Sequence, residues 1–206
     1  MASVREGPNI VYWLGDKLYL NITNRCSNDC YFCLRRFKSG VGGFNLRLQR
    51  EPAPQEVVQE LQKVLRRKRW EEAVFCGFGE PLVRLDPVLR ITDWLRRFWG
   101  GVVRVDTNGH GYLLNEEREV AKELEEAGVD KVSVSLNAHD EETYNEICRP
   151  RLEDAFQGVL EFVKGARATD LETEITAVSI PEADISRMRE MAERMGVGFR
   201  LREYIP

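Results

Sequence analysis

The chain has 206 residues, of which 43% are apolar and 31% charged, and its formal net charge is −4 at pH 7. This composition excludes disordered and collagen-like proteins and favours a globular protein with a substantial apolar core. The small negative charge gives no general reason to expect nucleic-acid binding, because dedicated binders usually carry a basic excess. Without a signal-peptide pattern or an apolar run of roughly 18 residues, we predict a cytoplasmic protein with no membrane contact.

Strand-like and helix-like segments alternate along the chain. Residues 1–16 are expected to form an N-terminal arm or hairpin, with Gly15 and Asp16 at its turn. Apolar runs predict six strands, at residues 17–22, 73–77, 102–106, 131–136, 172–178 and 198–203. Apolar residues at helical spacing predict five helices, near residues 57–65, 85–95, 120–127, 155–163 and 185–195.

This alternation predicts an α/β fold with a parallel six-stranded sheet and right-handed crossovers. No linker, repeat or composition shift marks a boundary, so we expect residues 1–206 to form a single domain. In such folds the functional residues follow the carboxyl ends of the strands. Polar segments follow the first four predicted strands, and we expect them to meet on one face of the domain.

The first of these segments contains three cysteines, Cys26, Cys30 and Cys33. The chain has five cysteines in all, and an odd number with three clustered favours metal binding over a disulfide framework. Three thiolates in this arrangement hold three irons of a four-iron cluster and leave the fourth iron without a protein ligand. The alternative is a structural zinc site, which normally needs a fourth ligand, and the nearest histidine in the sequence is His110.

Three residues separate the first two cysteines and two separate the last pair, with Phe32 just before Cys33. Together with the segment Gly-Phe-Gly-Glu-Pro at residues 77–81, this spacing resembles the radical S-adenosylmethionine (SAM) superfamily. The resemblance implies a partial (β/α)6 barrel in which the cysteines bind a 4Fe-4S cluster. The amino and carboxylate groups of SAM would bind the fourth iron, and reduction would release a 5'-deoxyadenosyl radical that abstracts hydrogen from an unidentified organic substrate.

The same resemblance implies cofactor contacts at specific positions of this sequence. Glu80 and the adjacent glycines would bind the SAM ammonium, Ser135 and Asn137 the ribose, and Val178 the adenine. Arg149 stands where some members place a basic residue for the SAM carboxylate. The full set of implied cofactor-binding residues is Phe32, Gly77, Gly79, Glu80, Pro81, Asn108, Ser135, Asn137, Arg149 and Val178. No catalytic residue is assigned, although Cys148 is a candidate hydrogen donor or substrate-linking residue.

Segments 20–26, 76–81 and 135–139 further resemble the small TatD-associated radical SAM proteins. This narrower resemblance implies a functional link to a TatD-type hydrolase. Because the given sequence ends with the sixth predicted strand, we expect no auxiliary cluster domain. The reaction would need an electron donor such as flavodoxin or ferredoxin, and the substrate is either large, a peptide or RNA, or a small metabolite. Two alternatives stay open: an iron-sulfur protein for electron transfer or sensing that does not cleave SAM, and a zinc-binding interaction module.

Overall fold

All six predicted strands form in the computed structural model, which describes residues 5–205; residues 1–4 of the predicted N-terminal arm and residue 206 lie outside this range. The strands are β1 (Arg5–Pro8), β2 (Val11–Leu14), β3 (Lys17–Leu20), β4 (Gly40–Val41), β5 (Phe44–Asn45), β6 (Glu72–Phe75), β7 (Val102–Thr107), β8 (Lys131–Ser135), β9 (Glu172–Val178) and β10 (Gly198–Arg202). The α-helices are α1 (Pro54–Leu65), α2 (Leu85–Phe98), α3 (Gly111–Leu114), α4 (Val120–Ala127), α5 (Glu141–Cys148), α6 (Ala155–Arg167) and α7 (Ile185–Met195). Two short 3-10 helices span Leu34–Arg36 and Pro81–Arg84.

The main sheet has the strand order β10-β9-β8-β7-β6-β3-β2. Its neighbours from β3 to β10 are parallel, so each connection needs a crossover, and helices α1, α2, α4, α6 and α7 lie in those connections. The predicted partial (β/α)6 barrel is therefore confirmed. Strand β2 adds a seventh, antiparallel strand in a hairpin with β3. No helix within residues 5–205 has the length and apolar character needed to cross a lipid bilayer.

The two faces of the sheet differ because successive side chains of a strand point to opposite sides. On one face Val103 and Val105 of β7 are fully buried in the main apolar core, which also includes the buried residues of the helices. On the other face the same strand carries Arg104 and Asp106, and Ser133 of β8 lies beside them. The apolar face thus packs on helices, whereas the polar face carries charges and hydroxyl groups.

Capping residues determine where several helices begin and end. The Asp140 side chain accepts a hydrogen bond from the Thr143 backbone and begins α5, directly after the loop that follows β8. Asp184 caps α7 in the same way through the Arg187 backbone. Gly196 ends α7 with a φ of 67°, a left-handed conformation that glycine adopts without strain.

A second sheet of order β1-β5-β4 was not predicted, although β1 lies in the predicted N-terminal arm. Its strands β4 and β5 have two residues each, too few to produce a periodic pattern in the sequence. The segment that follows is fastened to the backbone after β3 by two asparagine contacts: Asn21 Nδ2 donates to Leu46 O (2.9 Å), and Asn24 Nδ2 donates to Leu48 O (2.7 Å). This sheet therefore supports the backbone that leads into the cysteine loop, residues 26–33.

Candidate active site

A cavity of about 270 Å³ lies where the parallel strands end. The cysteine loop, the segments after β6, β7 and β8, and the ends of β9 and β10 enclose it. Carboxyl ends of parallel strands meet at one edge of a sheet, which explains why residues far apart in the sequence share this space. The predicted site residues in its lining are Cys26, Cys30, Phe32, Cys33, Gly77, Gly79, Glu80, Asn108, Ser135, Asn137 and Val178.

Backbone hydrogen bonds hold the cysteine loop against the C-terminus of α5. The Asp29 N–H donates to Cys148 O at 3.1 Å, and the Tyr31 N–H donates to Ile147 O at 3.2 Å. A loop with its own backbone groups paired in this way keeps a defined shape. The three cysteines are therefore presented from a fixed segment rather than from an unsupported loop.

The three thiols are half-buried and form no disulfide. Burial, together with the charge of the nearby Glu80, raises the pKa of Cys26 to about 12. A hydrogen bond with the Cys148 thiol and burial raise the pKa of Cys30, and burial raises the pKa of Cys33. Thiols in such surroundings become thiolates only beside a cation, and iron ions supply that charge.

The donor set fits a four-iron cluster. Within residues 5–205 no three His, Cys, Asp or Glu side chains surround one point where a single metal ion would bind. A cubic cluster does not require its protein ligands to surround a single point, because each thiolate binds a different iron. The loop supplies three thiols and its Asn28 N–H donates to Cys26 Sγ at 3.4 Å, the type of hydrogen bond that tunes cluster potentials. With three protein thiolates, one iron keeps an open position.

Glu80 presents a buried carboxylate to the same cavity, with 3% of the residue exposed. Oε1 accepts hydrogen bonds from the Leu82 N–H (2.9 Å) and the Thr107 hydroxyl (2.8 Å), and Oε2 accepts one from the Asn108 N–H (2.6 Å). Burial raises the pKa of Glu80 to about 7, while these three hydrogen bonds lower it. Because Oε2 accepts only one of them, it retains a site for a cation such as an ammonium group.

Gly77 and Gly79 allow the Glu80 segment to pack closely on the backbone before the cysteine loop. A Cβ atom at Gly79 would lie 2.5 Å from the carbonyl oxygens of both Thr23 and Arg25, and one at Gly77 would overlap the Asn21 side chain. The resemblance implies that these glycines help to bind the SAM ammonium, and glycine lets a backbone approach a ligand closely. The structure adds a second reason, because any larger residue would push Glu80 away from the cysteine loop.

The ends of β8 and β9 are joined through Asn137, which has a left-handed φ of 62°. Its Oδ1 accepts the Val178 N–H at 3.2 Å, and its Nδ2 donates to the Ser135 carbonyl at 3.3 Å. The Ser135 hydroxyl accepts a hydrogen bond from Arg202 Nη2 at 2.8 Å. The implied ribose and adenine contacts therefore lie side by side on one wall of the cavity.

A buried chain of hydrogen bonds runs behind the cysteine loop. Asn108 Nδ2 donates to Ser27 Oγ at 2.8 Å, and Ser27 Oγ lies 2.8 Å from His110 Nδ1. On the other side of the ring, His110 Nε2 lies 2.9 Å from the Tyr144 hydroxyl, which also accepts a hydrogen bond from Asn28 Nδ2 (3.0 Å). Burial lowers the pKa of His110 to about 4, so the ring is neutral at pH 7 and serves as both donor and acceptor.

Three predicted residues lie outside the cavity lining. Pro81 is buried as the first residue of a 3-10 helix, and Cys148 is fully buried against Cys30. Arg149 is exposed at the end of α5, where its guanidinium lies 5.9 Å from the centre of the Tyr31 ring. The geometry does not bring these three side chains to the shared cavity.

Asp106 and Arg202 also line the cavity, from the polar face of the sheet, although the sequence did not predict them as site residues. Each follows another charged residue at a spacing of two, Arg104 before Asp106 and Arg200 before Arg202. In a strand this spacing puts both charges on one face. This alternation places both residues on the polar face, and the order of the strands in the sheet brings that part of the face to the cavity.

Comparisons with known proteins agree with this geometry. The sequence model of the Radical SAM superfamily matches residues 20–195. The chain is 30% identical over 197 residues to the GTP 3',8-cyclase of Corynebacterium glutamicum, covering 92% of this chain and 49% of that protein. It is 28% identical over 187 residues to a probable GTP 3',8-cyclase of Thermococcus kodakarensis, covering 90% and 56%. The chain thus spans about half the length of these curated relatives.

The structure of TYW1 with a lysine-pyruvate adduct bound has the same fold, with a TM-score of 0.65 at 17% identity over 93% of this chain and 65% of that one. The superfamily match includes the cysteine loop, Glu80 and the strands from β6 to β9. Members of the superfamily are enzymes that use a 4Fe-4S cluster and SAM. The chain therefore belongs to the radical SAM superfamily.

Proposed function

We propose that this protein cleaves SAM reductively at a 4Fe-4S cluster held by Cys26, Cys30 and Cys33. The observation that carries the proposal is the shared cavity, in which the three thiols and the Glu80 carboxylate line one space. Thiolates bind iron, and a buried carboxylate attracts an ammonium group. When bound, the cluster and SAM supply a 5'-deoxyadenosyl radical that abstracts a hydrogen atom from an organic substrate.

Asn108 positions the two halves of this site relative to each other. Its backbone N–H donates to Glu80 Oε2, while its side chain donates to Ser27 beside the cysteines and lies 3.8 Å from Cys26 Sγ. One residue thus contacts both the acid proposed for the ammonium and the loop proposed for the cluster. This supports a single site in which a ligand of the open iron also reaches Glu80.

The remaining lining residues have simpler roles in the proposal. Ser135 and Asn137 supply polar groups for the ribose, and Val178 supplies apolar surface for the adenine. Phe32, only 9% exposed, adds apolar surface to the cavity that the thiols line, which limits the access of water to them. Excluding water protects a reactive radical from side reactions.

The electron donor has a suitable docking surface on the outer side of the cysteine loop. A second cavity, of about 850 Å³, also includes Cys26 in its lining. We call it the arginine pocket, since it is lined by Arg25, Arg35, Arg36, Arg47 and Arg151, with Asp29 as its acidic residue. A basic surface in a protein of net charge −4 suits an acidic donor such as flavodoxin or ferredoxin.

The identity of the substrate is the open part of the proposal, and the choice lies between a peptide, an RNA base and a small metabolite. The relatives named GTP 3',8-cyclase match along about half of their length. A functional link to a TatD-type hydrolase is also proposed, supported by the motifs in residues 20–26, 76–81 and 135–139. A cytoplasmic location completes the proposal, because a reducing compartment preserves clustered thiols.

Anaerobic reconstitution with iron and sulfide tests the proposal. The protein is expected to bind about four irons per chain and to absorb visible light. Addition of dithionite and SAM is expected to yield 5'-deoxyadenosine and methionine, measured by liquid chromatography against a sample without dithionite.

Two outcomes would replace the proposal. A cluster that forms without SAM binding or cleavage would identify an electron-transfer or sensing protein. A colourless protein that takes up zinc and no iron would identify a zinc-binding interaction module.

A further inference from the structure

Charged side chains on the polar face of the sheet are mostly paired with one another. Arg104 Nη1 lies 2.9 Å from Glu72 Oε2, and Arg104 Nε lies 2.9 Å from Asp106 Oδ1. Glu174 contacts Lys131 at 3.3 Å and Arg200 at 2.7 Å. These pairs compensate the charges within the fold.

Arg202 differs from the other basic residues of this face. Within residues 5–205 no carboxylate lies within 4 Å of its guanidinium, and its only side-chain hydrogen bond is the one from Nη2 to Ser135. Its Nε is buried without a hydrogen-bond partner, although the residue lines the cavity. A guanidinium at the cavity wall without a carboxylate partner keeps an uncompensated positive charge, and an anion in the cavity would compensate that charge.

We propose that Arg202 binds a carboxylate or phosphate group of the substrate, so that the substrate is an anion. The inference rests on the proposed function. Nη1 has no hydrogen bond within residues 5–205, and Nη1 together with the second hydrogen of Nη2 forms a parallel pair of donors, the arrangement through which arginine binds planar carboxylates and phosphates. Its contact with Ser135, a proposed ribose residue, places this anion close to the adenosyl group, where the substrate must present its hydrogen atom.

The SAM carboxylate is the other anion that Arg202 could meet, and the two assignments predict different results. Glu80 bonds to Thr107 and Asn108 at the end of β7, and Arg202 bonds to Ser135 of β8, the neighbouring strand. A contact with the SAM carboxylate would make SAM affinity depend on Arg202, whereas a contact with a substrate anion would not.

Anion binding to the reconstituted protein tests the inference. The cluster is kept oxidised and SAM is saturating, so that no turnover occurs, and inorganic phosphate or acetate is titrated by calorimetry. Arg202→Gln is expected to weaken binding of the preferred anion about tenfold, with an unchanged SAM affinity. Arg202→Lys retains the charge and should restore part of the affinity. Comparing phosphate with acetate identifies the class of anion.

Arg200→Gln is the matched control, because Arg200 lies two residues earlier on the same strand and already has Glu174 as its partner. It should leave anion affinity within about twofold of the wild type. Anion binding at the arginine pocket is common to all variants and cancels in the comparison. Circular dichroism and iron content, measured on the same samples, show whether the fold and the cluster are intact.

Two results would overturn the inference while leaving the proposed function in place. One is a SAM affinity that falls about tenfold in Arg202→Gln, which would assign Arg202 to the SAM carboxylate. The other is anion binding that is the same in wild type and Arg202→Gln. Loss of cluster formation or SAM binding in the wild type would instead contradict the proposed function.

Discussion

The two cavities that meet at Cys26 differ in size and in the charge of their lining residues. The inner cavity measures about 270 Å³ and presents the buried acid Glu80, whereas the arginine pocket measures about 850 Å³ and presents five arginines. Cys26 lines both. Ser27, which lines the arginine pocket, and Asn108, which lines the inner cavity, are joined by a 2.8 Å hydrogen bond between them.

The proposed function needs two different surfaces, one for the reacting molecule and one for the electron donor. A small cavity beside a buried acid such as Glu80 suits the reacting molecule, because charges act strongly on a ligand where little water surrounds them. A wide basic surface suits transient docking of a partner protein, because long-range attraction speeds association. If this division is correct, substitutions on the two sides of the cysteine loop must affect different measurements.

The largest effect is expected where the two cavities meet. Cys26→Ala removes one cluster ligand, so iron content should fall from about four per chain to below one, and SAM cleavage should fall to background. Iron analysis and 5'-deoxyadenosine formation measure this. Cys76→Ala is the control, since Cys76 lines the inner cavity outside the cysteine loop. Equal iron loss in both variants would mean that the loop is not the specific cluster site.

A substitution confined to the inner cavity should act on SAM alone. Glu80→Gln keeps the size of the side chain and an oxygen for the Leu82 and Thr107 donors but removes the negative charge. Loss of one charge-assisted contact should weaken SAM binding about tenfold to a hundredfold. Equilibrium titration with SAM measures this, and iron content should stay at the wild-type level. An unchanged SAM affinity would exclude Glu80 as the ammonium ligand.

A substitution confined to the arginine pocket should act on the electron donor alone. Arg151→Glu reverses one exposed charge, and we expect reduction by an acidic flavodoxin to slow about three- to tenfold at low ionic strength. Stopped-flow absorbance of the cluster measures the rate. Dithionite-driven SAM cleavage should be unchanged. Arg69→Glu, on an exposed residue outside the pocket, is the control, and an equal effect there would show that only net charge matters.

The smallest effect concerns the hydrogen-bond chain behind the loop. His110 has a folded-state pKa of about 4 against an ordinary value of 6.5, so the folded chain binds fewer protons than the unfolded chain between these values. Stability from this group is complete above pH 6.5 and is lost as the pH falls towards 4, by about 3 kcal/mol at most. Urea unfolding of the cluster-free chain across this range measures the loss.

Variants of the chain isolate the contribution of His110. His110→Gln should be less stable than wild type at pH 7 but should lose less stability on acidification, because it lacks the titrating ring. Tyr144→Phe removes one hydrogen bond of the ring and keeps the titration, so its pH dependence should match the wild type. Identical pH dependence in wild type and His110→Gln would contradict the assigned pKa.

The elements that were predicted from the sequence are those in which apolar residues recur at the spacing of a strand or a helix. Residues 172–178 were predicted as a strand and form β9 with the same bounds, and the other five strands differ by a few residues at their ends. The two-residue strands β4 and β5 were missed because they are too short to alternate. Their positions depend on contacts with Asn21 and Asn24, which are tertiary and leave no local signal.

The candidate site was predictable where motifs stand at strand ends, as with Glu80 and the three cysteines. It was not predictable where the neighbours of a side chain depend on the order of the strands in the sheet. The sequence pattern around Arg202 is that of a solvent-facing charge in an amphipathic strand. Only the position of this strand in the sheet brings Arg202 to the cavity. Arg149 was predicted from its position after β8. In the structure Arg149 itself ends α5 with a left-handed φ of 48°, and its side chain is exposed.

The central claim is that SAM binds the open iron of a cluster in the inner cavity. Electron paramagnetic resonance of the dithionite-reduced protein, recorded with and without SAM, tests it most directly. SAM is expected to change the signal of the reduced cluster in the wild type and to change it less at the same SAM concentration in Glu80→Gln. A signal identical with and without SAM in the wild type, at a SAM concentration far above that of the protein, would contradict the claim.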